Sequence, residues 1–150
     1  MYATSLAAIA LLSSAVLVSA LPSCNSGCGS DRSILESCQD LTLSWSVNPD
    51  TALKVPLLNA NCQDDFEDLH ATSIDLDEIL ANILGKFAWG KNHFSRTASN
   101  IQLDSQTAEL SASLLTNERD AKGVEKTNLA KVNLAERIRN DDGQLKFFSS

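Results

Sequence analysis

The chain contains itself twice, and few features constrain a fold more than an internal repeat. Residues 73–89, SIDLDEILANILGKFAW, align with residues 131–147, KVNLAERIRNDDGQLKF. At a constant offset of 58, Ile74 meets Val132, Leu76 meets Leu134, Glu78 meets Glu136 and Leu80 meets Ile138. Asn82 and Gly85 recur as Asn140 and Gly143, while Phe87 and Trp89 meet Leu145 and Phe147. Upstream, ESCQDLTL (36–43) matches RTASNIQL (96–103) at an offset of 60, and LNANC (58–62) matches LSASL (110–114) at an offset of 52. The offsets differ because the connecting loops differ. SWSVNPDTALKVPL (44–57), marked as irregular by Pro49, Pro56, Asn48 and Asp50, stands against the short DSQTAE (104–109). Copy two has a longer charged loop, TNERDAKGVEKTNLA (116–130), read as solvated.

The repeat also bears on the cysteines. Cys24, Cys28, Cys38 and Cys62 are an even set with three pairings. Cys38 and Cys62 correspond to Ala98 and Leu114, so both are lost together in the second copy. Losing one partner of a disulfide strands a thiol; losing both leaves a small apolar pair. A Cys38–Cys62 bridge is therefore favoured, leaving Cys24 and Cys28 to pair locally. A zinc site is the competing reading. It lacks a repeated Cys-x-x-Cys, and an oxidising compartment disfavours thiolates.

That compartment is read from the first 20 residues, MYATSLAAIALLSSAVLVSA, which carry no charge. An apolar run ends in Val18-Ser19-Ala20, the small-residue pattern of a signal cleavage site. Ser13, Ser14 and Ser19 make it a poor membrane anchor. The expected product is secreted and extracellular, with a Cys-, Gly- and Ser-rich extension over 21–33 and one domain over 34–150, divided at about 92. A formal charge of -7 leaves no basic patch for nucleic acid or an anionic membrane.

Local patterning predicts an all-β domain with short helical turns. LTL, IQL, LNANC and LSASL alternate as half-buried strands do. GKFAW and GQLKF read as the second strands of hairpins after Asn-x-x-Gly. Helical spacing at Leu76, Ile79, Leu80, Ile83 and Leu84 suggests a helix over 75–84. The matching NLAERIRNDDG cannot continue helically into Asp-Asp-Gly, so a short turn is expected in both copies, two in all. Trp89 is assigned to the core, Trp45 to a loop packing anchor, and His70 and His93 to the surface. Asp75 and Asp77 begin like a calcium loop, but Ile79 and a missing Gly break the pattern. No nucleophile–base pair or paired-carboxylate motif stands out, and no enzyme is expected.

Taken together, Ser37-Cys38, Leu41, Leu43, Leu58-x-Ala60-x-Cys62, Ile74-Asp75-Leu76 and Asn82-x-x-Gly85 resemble the cyanovirin-N homology family. They recur as Phe94, Asn100-Ile101-x-Leu103, Leu110-Ser111-Ala112, Val132-Asn133-Leu134 and Asn140-x-x-Gly143, and the likeness covers roughly residues 34–147. The resemblance implies two tandem pseudo-symmetric halves, each a three-stranded sheet plus a hairpin, with strands exchanged between repeats. It implies a metal-free, non-catalytic lectin for mannose-rich glycans, as a monomer or a strand-swapped dimer, with a sugar pocket in each half and no cofactor. Pocket one would comprise Ser33, Glu36, Ser37, Gln63, Asp64, Asp65, Asn140, Asp141 and Asp142, lacking a cation unless Arg32 or Arg139 enters. Pocket two would use Asn82, Asn92, His93, Arg96, Thr97, Leu115, Thr116 and Asn117. There the chain departs from the family pattern: Leu84 replaces a turn Asp, Ala81 a polar residue, Arg96 an acid and Leu115 a base. That erosion raises an alternative, a secreted interaction or effector protein that keeps the fold but has lost sugar binding. Members of this kind often occur in filamentous fungi. The turn pairs Asp141-Asp142 and Ile83-Leu84 differ while Asn and Gly persist, so the acidic pair is surplus to the turn.

Overall fold

A computed structural model of the chain describes residues 31–47 and 52–149. The leader, Cys24 and Cys28 lie outside the described residues. Among the described residues, eleven strands carry the fold: β1 (Asp31–Ser33), β2 (Cys38–Val47), β3 (Lys54–Gln63), β4 (Leu69–Asp75), β5 (Leu80–Ile83), β6 (Lys86–Trp89), β7 (Ala98–Asp104), β8 (Glu109–Arg119), β9 (Glu125–Asn133), β10 (Ile138–Asp141) and β11 (Gln144–Phe147). One helical turn, α1, spans Ile34–Ser37, and 3-10 turns span Leu76–Glu78, Phe94–Thr97 and Leu134–Glu136. The expected two helical turns are thus four, in two repeat-related pairs. Asp75 and Asn133 cap the second pair, each carboxyl or amide oxygen accepting a backbone N–H two residues on.

Each copy forms an antiparallel three-stranded sheet, β2-β3-β4 and β7-β8-β9, followed by a hairpin, β5-β6 and β10-β11. The central strands alternate strictly: Pro56, Leu58, Ala60 and Cys62 of β3 face the core, as do Leu110, Ala112 and Leu114 of β8. The repeat alignment is reproduced in space. Cys38 pairs with Cys62 in register and forms the disulfide, and Ala98 pairs with Leu114 at the equivalent place. One apolar core spans both copies and matched positions fill it twice: Ile34 with Phe94, Leu58 with Leu110, Leu76 with Leu134, Leu80 with Ile138.

The hairpins are exchanged. The copy-one hairpin β5-β6 packs on β8 and β9 of copy two, and the copy-two hairpin packs on β3 and β4 of copy one. The equivalent residues Trp89 and Phe147 stack on each other with centroids 5.8 Å apart. Contact between equivalents places the pseudo-twofold axis between those rings. Both hairpins turn on two residues of positive φ, Leu84-Gly85 and Asp142-Gly143. That is the type I′ geometry that matches strand twist and suits Asn, Asp or Gly rather than Leu.

Parts of two segments read as loops, 44–47 with 54–57 and 116–119 with 125–130, are strand instead. The β2-β3 ladder continues through Ser44↔Leu57, Trp45↔Pro56, Ser46↔Val55 and Val47↔Lys54. Pro56 is tolerated because β4 stops opposite Leu57, so no second neighbour there requires an N–H. Trp45 therefore stands on a strand, 51% exposed, rather than anchoring a loop. In copy two, β8 runs to Arg119 and β9 starts at Glu125. The charges read as a solvated loop pair across the hairpin, Arg119 with Glu125 and Lys126 with Glu118. Residues 31–33, expected to end the extension, form a strand against β10.

Replacing Cys38 and Cys62 together by Ala removes a cross-link with a sequence separation of 24. The loss should be about 3 kcal/mol in urea unfolding, and non-reducing peptide mapping of the native chain should recover the Cys38–Cys62 peptide. Leu84→Asn should raise stability by about 1 kcal/mol, because Leu84 holds a left-handed φ of 52° at an exposed tip.

Candidate functional site

Each end of the molecule is a junction between one hairpin tip and the other copy's sheet. At the first end, Asn140 is completely buried. Its amide nitrogen donates to Ser37 Oγ at 3.0 Å and the Gln63 carbonyl at 2.7 Å, and its oxygen accepts the Gly143 N–H at 2.9 Å. Ser37 in turn donates to the Ser33 carbonyl at 2.8 Å. Asn140 and Ser37, expected to grip a ligand, are framework with their bonding capacity spent inside the fold.

Asp64 is likewise committed. One oxygen accepts the N–H groups of Phe66 and Asp68, and the other meets His70 Nε2 at 2.8 Å. The His70 bond and the two backbone donors hold its carboxyl below the ordinary aspartate range. Asp141 pairs with Lys146.

What faces solvent is a smaller group. The side chain of Asp65 is 58% exposed. Its N–H donates to Asp142 Oδ1 at 3.0 Å, and Arg32 lies 3.8 Å from its carboxylate. Arg32 also donates to the carbonyls of Gln63 at 3.1 Å and Asp64 at 2.6 Å. It is the cation whose absence the sequence left open, and it reduces the repulsion among the acids. Asp142 is exposed at the hairpin tip, and Glu36 is exposed on α1. His70, assigned only to the surface, lies against the turn: a Cβ on Gly143 would come within 2.9 Å of its ring.

The second end repeats the framework. Asn82 donates to the Leu115 carbonyl and Thr97 Oγ1, both at 2.9 Å, and accepts the Gly85 N–H at 2.9 Å. Asn128, absent from the expected set, donates to the Gly85 carbonyl at 2.8 Å. Thr116 and Asn117 line an open cleft with Leu84, Glu118 and Lys126. His93 and Arg96 instead line another cleft, with Leu53, Asp77 and Ser95, so the expected pocket-two set is divided between two clefts. His93 is an exposed residue at φ 68° whose N–H donates to the Asp77 carbonyl at 2.7 Å. Asn92 is exposed in the preceding loop. Leu84 is 63% exposed at the tip, where Asp142 stands at the other end. Among the described residues, no group of three His, Cys, Asp or Glu side chains converges to hold a metal ion.

Asn140→Ala would orphan the buried Gly143 N–H and take one partner each from the Gln63 carbonyl and the Ser37 hydroxyl, and should cost about 2–3 kcal/mol of stability by urea denaturation. The Asp64 carboxyl titrates below its unfolded value, so its contribution is complete above about pH 3.8 and is lost as pH falls through the lowered native value. Acid unfolding followed by circular dichroism should therefore be less steep below that pH in Asp64→Asn.

Residues 35–146 match the CVNH domain. GzCVNH of Gibberella zeae is 33% identical, with 76% of this chain and 95% of that one covered, at a TM-score of 0.56. A MoCVNH3 variant solved in complex with (N-GlcNAc)4 is 19% identical over 75% of this chain and 95% of that one, at a TM-score of 0.58. Microvirin, solved with mannobiose, is 23% identical over 77% of this chain and 97% of that one, at a TM-score of 0.54. With the domain match spanning most of its length and GzCVNH 33% identical over 76% of it, the chain belongs to the CVNH, or cyanovirin-N homology, family.

Proposed function

We propose that the protein is a secreted, non-catalytic lectin that binds mannose-rich glycans at the first end, without a metal. One observation carries this reading. The exposed Asp142 and Asp65 and the half-buried Arg32 converge at that tip, whereas the matching positions in the repeat hold Leu84, Asn117 and Asn92. Carboxylates and a guanidinium side by side offer acceptors and donors at the spacing of neighbouring sugar hydroxyls. Supporting the class of ligand, microvirin was solved with mannobiose and the MoCVNH3 variant with (N-GlcNAc)4. Both are neutral sugars held on the same fold. Export is supported by the uncharged leader and by a disulfide, which belongs in an oxidising compartment.

Leu84 at the second tip favours one active end over two. A single shallow site built from bonds that each net about 1–3 kcal/mol is weak, so affinity gained by bivalence is not expected.

A glycan array on the chain lacking residues 1–20 should show mannose-rich glycans among its strongest signals. In calorimetry, Asp142→Leu should weaken binding about tenfold, equivalent to about 1.4 kcal/mol, without unfolding the protein, since Leu occupies the same turn position in copy one. Undiminished binding would move the site elsewhere. No glycan signal at all would leave the interaction-protein reading in its place.

A further inference from the structure

The outer face of the first sheet carries an open polar groove of about 590 Å³. It is distinct from the cluster at the tip. Its floor is a ladder of amides along β3. Asn59 and Asn61, which line the groove, and Gln63 beyond its edge alternate with the buried Leu58, Ala60 and Cys62, so all three point away from the core. Ala71 and Ser73 lie opposite Asn61 and Asn59 on β4, and their small side chains leave the groove deep on that side. Gln144 forms a wall from the exchanged hairpin. The Leu145 N–H fixes that hairpin to Thr72 Oγ1 at 3.1 Å.

The groove has hydrogen-bonding capacity to offer. The Asn61 amide nitrogen donates to Asp40 at 3.1 Å and that of Asn59 to Ser44 Oγ at 2.9 Å. Neither Oδ1 takes part in these bonds, so both amides are oriented and each retains an acceptor. Asp40, the one charged side chain in the lining, is engaged by Asn61. The surface is therefore rich in amides and hydroxyls, with the Asp40 carboxylate as one further acceptor and no aromatic group. That complements a polyol and not an anion or an apolar peptide.

The fold does not require this surface. On the second sheet the matching positions are Ser111 and Ser113 in place of the two Asn and Leu129 and Lys131 in place of Ala71 and Ser73, and the copy-one hairpin has Lys86 where the other has Gln144. Leu129 projects 67% exposed, and Lys131 is bound to Glu109 at 2.6 Å. The same sheet is thus built there with no comparable ladder.

Position gives the groove a role. Gln63 ends the ladder and lends its carbonyl to Arg32 and Asn140 at the tip. From Gln63 to Asn59 the strand runs about 13 Å at roughly 3.3 Å per residue, a length for more than one pyranose. We propose that the groove is an extended subsite: a glycan whose terminal sugar sits at Asp65 and Asp142 lays its following sugars along Asn61, Asn59 and Gln144. This rests on the lectin reading and specifies its ligand as an oligosaccharide chain.

Calorimetry with linear mannose and N-acetylglucosamine oligomers of one to four units tests it. The wild-type protein should gain about fivefold to tenfold in affinity between the two-unit and four-unit ligands, as one or two further neutral hydrogen bonds would give. Gln144→Ala, at an exposed position, and Asn61→Ala should abolish that gain and leave one-unit binding unchanged. Asp142→Leu should weaken every length alike. Equal affinity for two and four units in the wild type, or a length gain that survives both groove variants, overturns the extended subsite while leaving the lectin reading intact. No binding of any oligomer by the wild type overturns both.

Discussion

One hydrogen-bonded clamp, used twice, organises the molecule. Asn140 reaches from the copy-two hairpin to Ser37 and Gln63 of copy one, and Asn82 reaches from the copy-one hairpin to Thr97 and Leu115 of copy two. Each Asn also closes its own turn through the Gly N–H. A side-chain amide suits both tasks because it carries two donors and an acceptor on one short arm. Buried without partners such a group would be costly, so register and exchange are specified together. The apolar core favours hairpins covering the sheets. The clamp decides which hairpin covers which sheet, and at what depth.

The candidate site follows from that clamp. Because Asn140 pins the tip of β10-β11 to the end of β3, Asp142 arrives beside Asp65, and β1 brings Arg32 over the same carbonyls. The acids at this tip are thus not a random solvated rim. Asp64 is used to shape the turn through His70 and two N–H groups, leaving Asp65 and Asp142 outward. At the other end the same clamp delivers Leu84, an apolar group strained by its positive φ, to an otherwise similar junction. Two ends with one framework and different chemistry at the tips are what duplication followed by divergence leaves when only the framework bears on stability.

Much of the fold was legible in the residues. The offsets of 58, 60 and 52 located the equivalent strands, and the joint loss of Cys38 and Cys62 located the disulfide, because both rest on a pattern carried twice. The hairpin extensions were missed. Pro, Asn and Asp read as loop at 44–57, and dense charge as loop at 116–130. Strand pairing prevailed through cross-strand partners such as Arg119 and Glu125, which no local window can see. The site was legible in part. The surplus acids at 141 and 142 could be told from the turn by comparing copies. That Asn140 and Ser37 are spent inside the fold, that Arg32 enters as the sequence had left open, and that His70 lies against the turn could not.

By itself the sequence determined that this chain is two related β units, with the Cys38 and Cys62 pair in only the first and with acids at one tip and aliphatics at the other. Those features are local or repeated, and repetition lets the chain serve as its own comparison. Tertiary structure alone decided which polar groups are used up and which remain outward. That depends on groups far apart in sequence meeting within about 3 Å. Asn140 and Gln63, 77 residues apart, form such a bond only after the hairpins have crossed between the copies.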